Sequence, residues 1–325
     1  MSLIGISRVF RPGSCRGDVR RWMSVHSSQY NKKAVDGSST PRKKVTIQSL
    51  YNQHATGIPI TMLTAYDFPT ARACEVHGID ITLVGDSLAQ VCLGYDSTVN
   101  LTMTEMIHHC RAVVRGTVAP LLVADMPFGS YYTGPEDAIR SAIRMRQEGG
   151  VECLKIEGGE EIVDSVRALT TFGFPVMGHI GLLPQRHTAL SGYKVQGRTA
   201  ESAHTILRAA LALQDAGVFA LVLEAIPHQL ATYITSRLRV PTIGIGAGPG
   251  TSGQVLVWDD MMSTWHGHKA KFVRHFGNVG AEVGKGIQEY VSAVRDRSFP
   301  DVKKESYEME QGEWERLLSM KQDQN

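Results

Sequence analysis

Four acidic residues in this sequence follow short apolar runs. Asp86 closes "LVGD", Asp125 closes "LLVAD", Glu157 closes "LKIE" and Glu224 closes "LVLE". Short runs of this composition are typical of buried strands. A carboxylate at the end of a buried strand loses much of its hydration, which is costly unless a cation lies beside it. The pattern therefore predicts a site in which several acids surround one cation.

A lysine and a histidine occupy comparable places. Lys155 precedes Glu157 by two residues, on the same face of the predicted strand, and His179 ends the run "PVMGH". Each has an ordinary explanation alone: a strand-end aspartate can cap a helix, Lys155 and Glu157 can form a simple ion pair, and His179 can be a core histidine. Their coincidence favours one shared site. Carboxylate oxygens without a neighbouring cysteine indicate Mg²⁺ rather than zinc.

Runs rich in aliphatic and β-branched residues recur along the chain and predict strands. They lie at residues 58–64, 81–84, 120–124, 152–156, 175–178, 219–223, 242–245 and, with a weaker pattern, 254–258. Between them, residues 46–54, 200–216 and 228–238 fit helices. Two capping boxes, Thr102 with Glu105 and Thr133 with Glu136, predict further helix starts. Continuous apolar strands that alternate with helices indicate a parallel sheet covered by helices.

About eight such units fit a (β/α)8 TIM barrel of the α/β class better than an open sheet. In this architecture the loops that follow the strands converge, and the active site lies at the carboxyl ends of the strands. The four acids, Lys155 and His179 would all lie at that end. We therefore predict a single catalytic domain over residues 45–300.

The two ends of the chain differ in composition from this region. Residues 1–27 contain five arginines and several serines but one acidic residue, Asp18. This composition is typical of an organellar transit peptide, so residues 1–44 are predicted to be a transit peptide and linker, without stable structure, that directs the protein to the mitochondrial matrix. A basic tail without an address is the alternative. Residues 301–325 are highly charged and are predicted to be a tail or peripheral helix.

The overall composition excludes several classes of protein. Lysine and arginine number 34 against 32 acidic residues, a formal charge of +2 that gives no reason to expect nucleic acid as a partner. Five scattered cysteines without a C-x-x-C pair indicate neither a disulfide framework nor a structural zinc site. No apolar stretch is long enough to predict a membrane span. His108 with His109, and His266 with His268, lie away from the predicted strand ends and are weaker metal candidates.

Nine short blocks of the sequence resemble, in order, those of the ketopantoate hydroxymethyltransferase family. They are "TAYD" from Thr64, "LVGDSL" from Leu83, "GYDST" from Gly94, "ADMPF" from Ala124, "KIEGG" from Lys155, "GHIGLLPQ" from Gly178, "GYKVQGR" from Gly192, "LEAIP" from Leu223 and "GIGAG" from Gly244. The resemblance extends over about residues 45–300. One departure is Ala270, where the family commonly has a proline, so the resemblance does not imply the conformation of this loop.

The resemblance implies a (β/α)8 barrel that uses Mg²⁺ to transfer a one-carbon unit from 5,10-methylenetetrahydrofolate to 3-methyl-2-oxobutanoate, a 2-oxo acid. The product, 2-dehydropantoate, belongs to pantothenate biosynthesis. By the same resemblance, Asp86 and Asp125 are metal ligands that also face the substrate, and Glu157 completes the surroundings of the metal. Ser87 and Lys155 hold the carboxylate of the oxo acid. Glu224 is implied as the catalytic base and His179 as a supporting residue. Family members form rings, often decamers, so a homo-oligomer is implied.

An oxo acid whose keto oxygen faces a divalent cation has an acidic neighbouring C–H, so the reaction is predicted to pass through a Mg-stabilised enolate. Two alternatives remain open. One is a Mg²⁺-dependent enolate lyase or mutase of the isocitrate lyase or phosphoenolpyruvate mutase type, which the blocks "GYKVQGR" and "KIEGG" disfavour. The other is a catalytically silent barrel, which would have no reason to keep such costly buried charges.

Overall fold

Eight parallel strands form a closed barrel in the computed structural model, which describes residues 42–320. In chain order they are β1 Ile60–Thr64, β2 Ile81–Val84, β3 Leu121–Asp125, β4 Cys153–Glu157, β5 Val176–Gly181, β6 Ala220–Glu224, β7 Thr242–Ile245 and β8 Gly253–Leu256. Each strand pairs with the next in the chain, and β8 pairs with β1. The predicted (β/α)8 fold is therefore confirmed, and every predicted run overlaps its strand.

Helices follow most of the strands. They are α1 Ile47–Thr56, α2 Phe68–Val76, α3 Leu88–Val91, α4 Met103–Gly116, α5 Pro135–Arg144, α6 Val163–Thr171, α7 Ala200–Asp215, α8 His228–Arg237, α9 Trp258–Met262, α10 Val279–Arg295 and α11 Gln311–Met320. The helices predicted at residues 46–54, 200–216 and 228–238 correspond to α1, α7 and α8. Residues 1–41, which are most of the predicted transit peptide and linker, lie outside the described residues.

Two helix starts test the predicted capping boxes. Thr102 caps α4 as predicted, and its backbone N–H donates in return to the Glu105 carboxylate at 2.8 Å. The box predicted at Thr133 is wrong, because Gly134 is the N-cap of α5 and no side chain caps this helix. Pro135 explains the difference. A residue before proline is disfavoured in the α conformation, so Gly134 cannot be the first helical residue that a cap at Thr133 requires.

Alternate strand residues point into the barrel and form its inner core, since successive side chains of a strand face opposite sides. The inner residues from the strands are Ile60, Met62, Ile81, Leu83, Leu121, Val123, Cys153, Met177, Ala220, Val222, Ile243, Ile245 and Val255. Asp125 continues the inward row of Val123, and Lys155 and Glu157 continue that of Cys153. The charged residues thus form the top layer of a packed interior.

A second core fills the space between the outer faces of the strands and the surrounding helices, where Val84 and Leu223 meet Met106 and Leu213. The C-terminal helices α10 and α11 contribute no buried residue to it. Residues 301–325, predicted as a tail or peripheral helix, thus include an exposed helix. None of the helices within residues 42–320 is long and apolar enough to cross a bilayer.

Candidate active site

Asp125 and Lys155 form a buried ion pair at the carboxyl ends of β3 and β4. The two residues are direct neighbours in the strand register, and Lys155 Nζ lies 2.8 Å from Asp125 Oδ1. Burial lowers the pKa of an ammonium group, but the negative charges of Asp125, Glu157 and Asp86 outweigh burial and raise the pKa of Lys155 above its ordinary value. Lys155 is therefore a fixed cation at this end of the barrel.

Asp86 lies against this pair. Its backbone N–H donates to Asp125 Oδ2 at 2.9 Å, so the two aspartates are in direct contact. A Cβ at Gly85 would lie 3.1 Å from Ser87 Oγ and 3.3 Å from the Thr64 methyl group, so glycine leaves room for these two side chains. Burial, followed by the charges of Asp125 and Glu157, raises the pKa of the Asp86 carboxyl well above its ordinary value. Asp86 is thus an acid without sufficient positive charge around it.

His179 lies between two glutamates. Its Nδ1 is 3.4 Å from Glu157 Oε1 and its Nε2 is 3.2 Å from Glu224 Oε2, and neither ring nitrogen has hydrogen-bond geometry, so these are charge contacts. Burial and the charge of Lys155 lower the pKa of the imidazole, but the contacts with Glu157 and Glu224 outweigh them and raise it to about 9. His179 is therefore protonated near neutral pH. Its charge, in turn, lowers the pKa of Glu157 in spite of the burial of that carboxyl.

The strand ends open into two adjoining cavities. The first, of about 180 Å³, contains the acids, Lys155 and His179, and has room for a small organic acid. The second is about 730 Å³, within the range of roughly 300–1,000 Å³ that is typical of small-molecule sites. Ser87, Glu224 and Asp260 line both cavities. Glu224 therefore lies where a molecule in one cavity would meet a molecule in the other.

The charges at this end of the barrel do not balance. Among the side chains at the strand ends, the carboxylates are Asp86, Asp125, Glu157 and Glu224, and the cations are Lys155 and His179. One divalent cation would compensate the excess. Mg²⁺ commonly binds through one or two carboxylates and completes its coordination with water and substrate oxygens.

The protein itself would supply only part of such a coordination sphere. Among residues 42–320, no three side chains of the His, Cys, Asp or Glu types are arranged as a ready metal site. A Mg²⁺ ion at this place would therefore need oxygens of a substrate or of water besides those of the aspartates.

Two residues of the site were missed in the sequence analysis. Gln185 Nε2 donates to Asp86 Oδ2 at 2.9 Å, and Tyr131 Oη donates to Gln185 Oε1 at 2.8 Å. Both residues are buried. The signal for Gln185 was its place at the end of the block "GHIGLLPQ", a polar residue soon after a strand end, whereas Tyr131 gave no signal apart from its type.

All seven residues singled out as site residues meet at the barrel mouth. Ser87 lies at the rim and caps no helix with its side chain, so its hydroxyl remains available to both cavities. The histidines named as weaker metal candidates are not among the residues that line the smaller cavity. The imidazole of His109 is bonded to the backbone oxygen of Tyr66 at 2.6 Å, and His268 lines the larger cavity.

Comparison with known proteins identifies close relatives. A family model described as ketopantoate hydroxymethyltransferase matches residues 44–302. A 3-methyl-2-oxobutanoate hydroxymethyltransferase of Emericella nidulans is 49% identical over 264 residues, which cover 81% of this chain and 76% of the relative. One of Heliobacterium modesticaldum is 49% identical over 79% of this chain and 94% of its own length. A rice relative, named as enzyme 1 and mitochondrial, is 46% identical over 79% of this chain and 72% of its own length.

Solved structures resemble the barrel at much lower sequence identity. A phosphoenolpyruvate phosphomutase from Streptomyces platensis subsp. rosaceus has a TM-score of 0.52 at 16% identity, over 86% of this chain and 96% of that one. A 2,3-dimethylmalate lyase of the PEP mutase/isocitrate lyase superfamily has a TM-score of 0.50 at 18% identity, over 85% and 97%. At this level of identity the likeness concerns the fold alone.

Proposed function

Since this chain belongs to the ketopantoate hydroxymethyltransferase family, we propose that its barrel mouth is the place where a hydroxymethyl group is joined to 3-methyl-2-oxobutanoate. The protein is an enzyme of pantothenate biosynthesis, and its product is 2-dehydropantoate. One observation carries the assignment of the site. At the barrel mouth, one small cavity is lined by the cation Lys155, by Asp86 and Asp125, and by Glu224, whose side chain is partly exposed.

The oxo acid would bind in the smaller cavity through its carboxylate. Lys155 uses one N–H on Asp125, and an ammonium group has three, so two remain for an anionic ligand. Ser87 Oγ supplies a hydroxyl at the same rim. We assign these two residues to the substrate carboxylate, which would leave its keto group directed at the aspartates.

Asp86 and Asp125 would hold Mg²⁺, and Glu157 would complete its surroundings. When bound, the ion supplies positive charge that makes the neighbouring C–H more acidic and stabilises the enolate. Lys155 and His179 offset part of the charge of the four acids.

Glu224 would remove the proton from C3 of the oxo acid. Of the acids it is the most accessible, with 15% of its side chain exposed against 5% for Asp125, so it can reach a ligand directly. His179 contacts one of its oxygens and holds the carboxylate at the junction of the cavities. A base in this position contributes about 10²- to 10⁴-fold to the rate of a proton transfer.

The one-carbon donor would be 5,10-methylenetetrahydrofolate, bound in the larger cavity. The walls that suit a flat ring system are Tyr193, Trp265 and Phe272, and the charged groups are Asp260, Lys194 and Lys271. A carboxylate can accept from the N–H groups of a pterin, and the lysines match the anionic glutamate tail. The methylene carbon is bonded to two folate nitrogens, and both bonds would break: one as the C3 carbanion forms the new C–C bond, the other as water supplies the hydroxyl group of the product. The proton from C3 and one proton from water would end on these nitrogens, which gives tetrahydrofolate.

A turnover assay tests the function. Purified protein with 3-methyl-2-oxobutanoate, Mg²⁺ and methylenetetrahydrofolate should form 2-dehydropantoate and tetrahydrofolate in equal amounts, and omission of the folate should abolish product. A catalytically silent barrel would give no product in either mixture. Cleavage or rearrangement of an oxo acid without folate would instead support a lyase or mutase.

We also propose that the protein forms homo-oligomers, with a decamer expected from the family resemblance. Helix α10 supports this, since Val283, Ile287, Tyr290 and Val294 are exposed at helical spacing along it. Contact with a second copy would bury this row. Val283→Glu with Ile287→Glu should therefore reduce the mass measured by light scattering, and an unchanged mass would exclude α10 from the interface.

For residues 1–44 we propose a mitochondrial address. The arginine-rich composition and the mitochondrial designation of the rice relative support it. Fusion of these residues to a fluorescent protein should give a mitochondrial signal, whereas the same fusion with its five N-terminal arginines changed to glutamine should remain diffuse. A mitochondrial signal from both fusions would contradict this basis for targeting.

A further inference from the structure

Gln185 makes contact with two of the acids of the site and belongs to no role described so far. It lies in the short helical turn Pro184–Arg186 that follows β5, and it is 3% exposed. We propose that Gln185 is a positioning residue that determines which oxygens of Asp86 and Glu157 face the cavity. This inference rests on the proposed function, because the oxygens in question are those that would meet the cation and the oxo acid.

The orientation of the Gln185 carboxamide follows from its neighbours. The backbone oxygen of Met126 lies 3.0 Å from Nε2 and can only accept, so the nitrogen must point toward it. The other end of the amide is then an oxygen, and Tyr131 Oη donates to it at 2.8 Å. A flipped amide would place its oxygen against the Met126 backbone oxygen and Asp86 Oδ2 and lose both of these bonds.

With this orientation, the second N–H of Gln185 is directed at Asp86. It donates to Asp86 Oδ2 at 2.9 Å, so both amide protons and the amide oxygen are used. Oδ2 of Asp86 thus has a hydrogen-bond partner, so Oδ1 is the oxygen that remains for a cation. The amide of Gln185 is neutral, so its bond leaves the negative charge of the carboxylate uncompensated. The bond also favours the ionised form of Asp86, against the burial that raises its pKa.

The backbone of the same residue holds Glu157. The Gln185 N–H donates to Glu157 Oε2 at 3.2 Å, while Glu157 Oε1 faces His179. One short turn therefore constrains two acids that come from different strands. The side chain bonds to Asp86 and can be changed by mutation, whereas the backbone bond to Glu157 would survive such a change.

Substitution of Gln185 by methionine tests the role of the side chain. Methionine has similar length and volume but cannot donate to Asp86. Calorimetric titration of Mg²⁺ in the presence of 3-methyl-2-oxobutanoate, without folate, should show affinity weakened by about 10- to 100-fold, the usual effect of a lost partner of a metal ligand. At saturating Mg²⁺ and oxo acid, kcat should stay within severalfold of the original while KM for the oxo acid rises.

Gln214→Met is the matched control. Gln214 is also a buried glutamine with a hydrogen bond, from the Arg239 N–H, but it lies at the end of α7, beside the amino end of β6. The control should bind Mg²⁺ and oxo acid like the original chain. Equal binding by Gln185→Met and Gln214→Met, with both proteins folded, would overturn the proposal, as would a fall in kcat without a change in affinity.

If Gln185→Met does not fold, the proposal can be tested with the more conservative variant Tyr131→Phe. Tyr131→Phe keeps the ring and removes the hydroxyl that holds the amide oxygen, so affinity should fall by about two- to tenfold, the scale of one hydrogen bond. Unchanged affinity in Tyr131→Phe would then overturn the role of this chain of bonds. Failure of the unmodified chain to bind the oxo acid with Mg²⁺ would instead refute the proposed function, before any variant is compared.

Discussion

The four carboxylates of the site differ in role because their neighbouring residues differ. Asp125 is paired with Lys155, Glu157 is paired with His179, and Asp86 has a raised pKa because burial and its acidic neighbours oppose its ionisation. Of the four acids at the strand ends, Glu224 is the one that lines both cavities. Environment thus separates groups suited to hold a cation from a group suited to move a proton.

Replacement of the proposed base should separate proton removal from binding. Glu224→Gln keeps the size of the side chain and cannot accept a proton, so exchange of the C3 proton of 3-methyl-2-oxobutanoate with D₂O should fall by at least about 10²-fold. Oxo-acid affinity, measured by calorimetry with Mg²⁺ present, should change little.

A surface glutamate provides the control for this substitution. Glu201 lies exposed in the first turn of α7, so Glu201→Gln should exchange the C3 proton at the original rate. Exchange that persists in Glu224→Gln, followed by NMR, would remove Glu224 from the role of base.

At the element scale, the loops after the strands bring the functional groups within reach. Gly181 is the last residue of β5 and pairs with Glu224 in the strand register. Its φ is 97°, a value that residues other than glycine rarely adopt. A Cβ at this position would collide with the backbone oxygen of Glu224. The end of β5 therefore helps to determine where the proposed base lies.

Gly181→Ala should reduce both stability and activity. The positive φ alone costs roughly 1–2 kcal/mol for an alanine, and relief of the collision must displace the backbone of Glu224. Gly173→Ala is the matched control, since Gly173 has φ of 83° and open space around its Cα. We expect a loss of melting temperature in both variants, larger in Gly181→Ala because of the collision, and a large loss of C3 exchange in Gly181→Ala alone. Equal activity of the two variants would contradict the link between β5 and Glu224.

The two predicted capping boxes allow a second comparison between elements. Thr102→Ala removes the side chain that caps α4 and should cost about 1 kcal/mol, or roughly 2–4 °C in melting temperature. Thr133→Ala should have almost no effect, because Thr133 is exposed and Gly134 occupies the N-cap of α5. Thermal unfolding followed by circular dichroism measures both, and equal losses would contradict this assignment of the caps.

For the whole molecule, the excess of negative charge at the barrel mouth couples stability to divalent cations. Four carboxylates face two cations there, so a Mg²⁺ ion that binds the folded chain should stabilise it. A ligand at 100 times its Kd contributes about 2.7 kcal/mol to the free energy of unfolding. This part of the stability should be reversible by chelation.

Scanning calorimetry should therefore show a rise of several degrees in melting temperature with Mg²⁺ and its reversal by EDTA. NaCl at matched ionic strength should give a much smaller shift. Asp125→Ala lowers stability by itself because it leaves Lys155 unpaired, so the informative quantity is the Mg²⁺-dependent shift, which should disappear. A full shift in this variant would place the cation elsewhere.

Local pattern was sufficient for much of this protein. Apolar runs and their spacing indicated eight strand–helix units, and the parallel arrangement of such units places every strand end at one side of the sheet. The acids, Lys155 and His179 could therefore be assigned to one site from sequence. Nine ordered blocks also indicated the family, which the comparisons confirm.

Tertiary structure alone decided the contacts within that site. The register of β3 and β4 pairs Asp125 with Lys155, and the turn after β5 carries Gln185 across to Asp86, at a separation of 99 residues in sequence. Such contacts depend on how distant strands and loops meet, and periodicity within one segment contains no information about them. Residue types and their spacing therefore indicate which groups reach the barrel mouth, whereas packing between distant segments fixes which oxygen each group presents there.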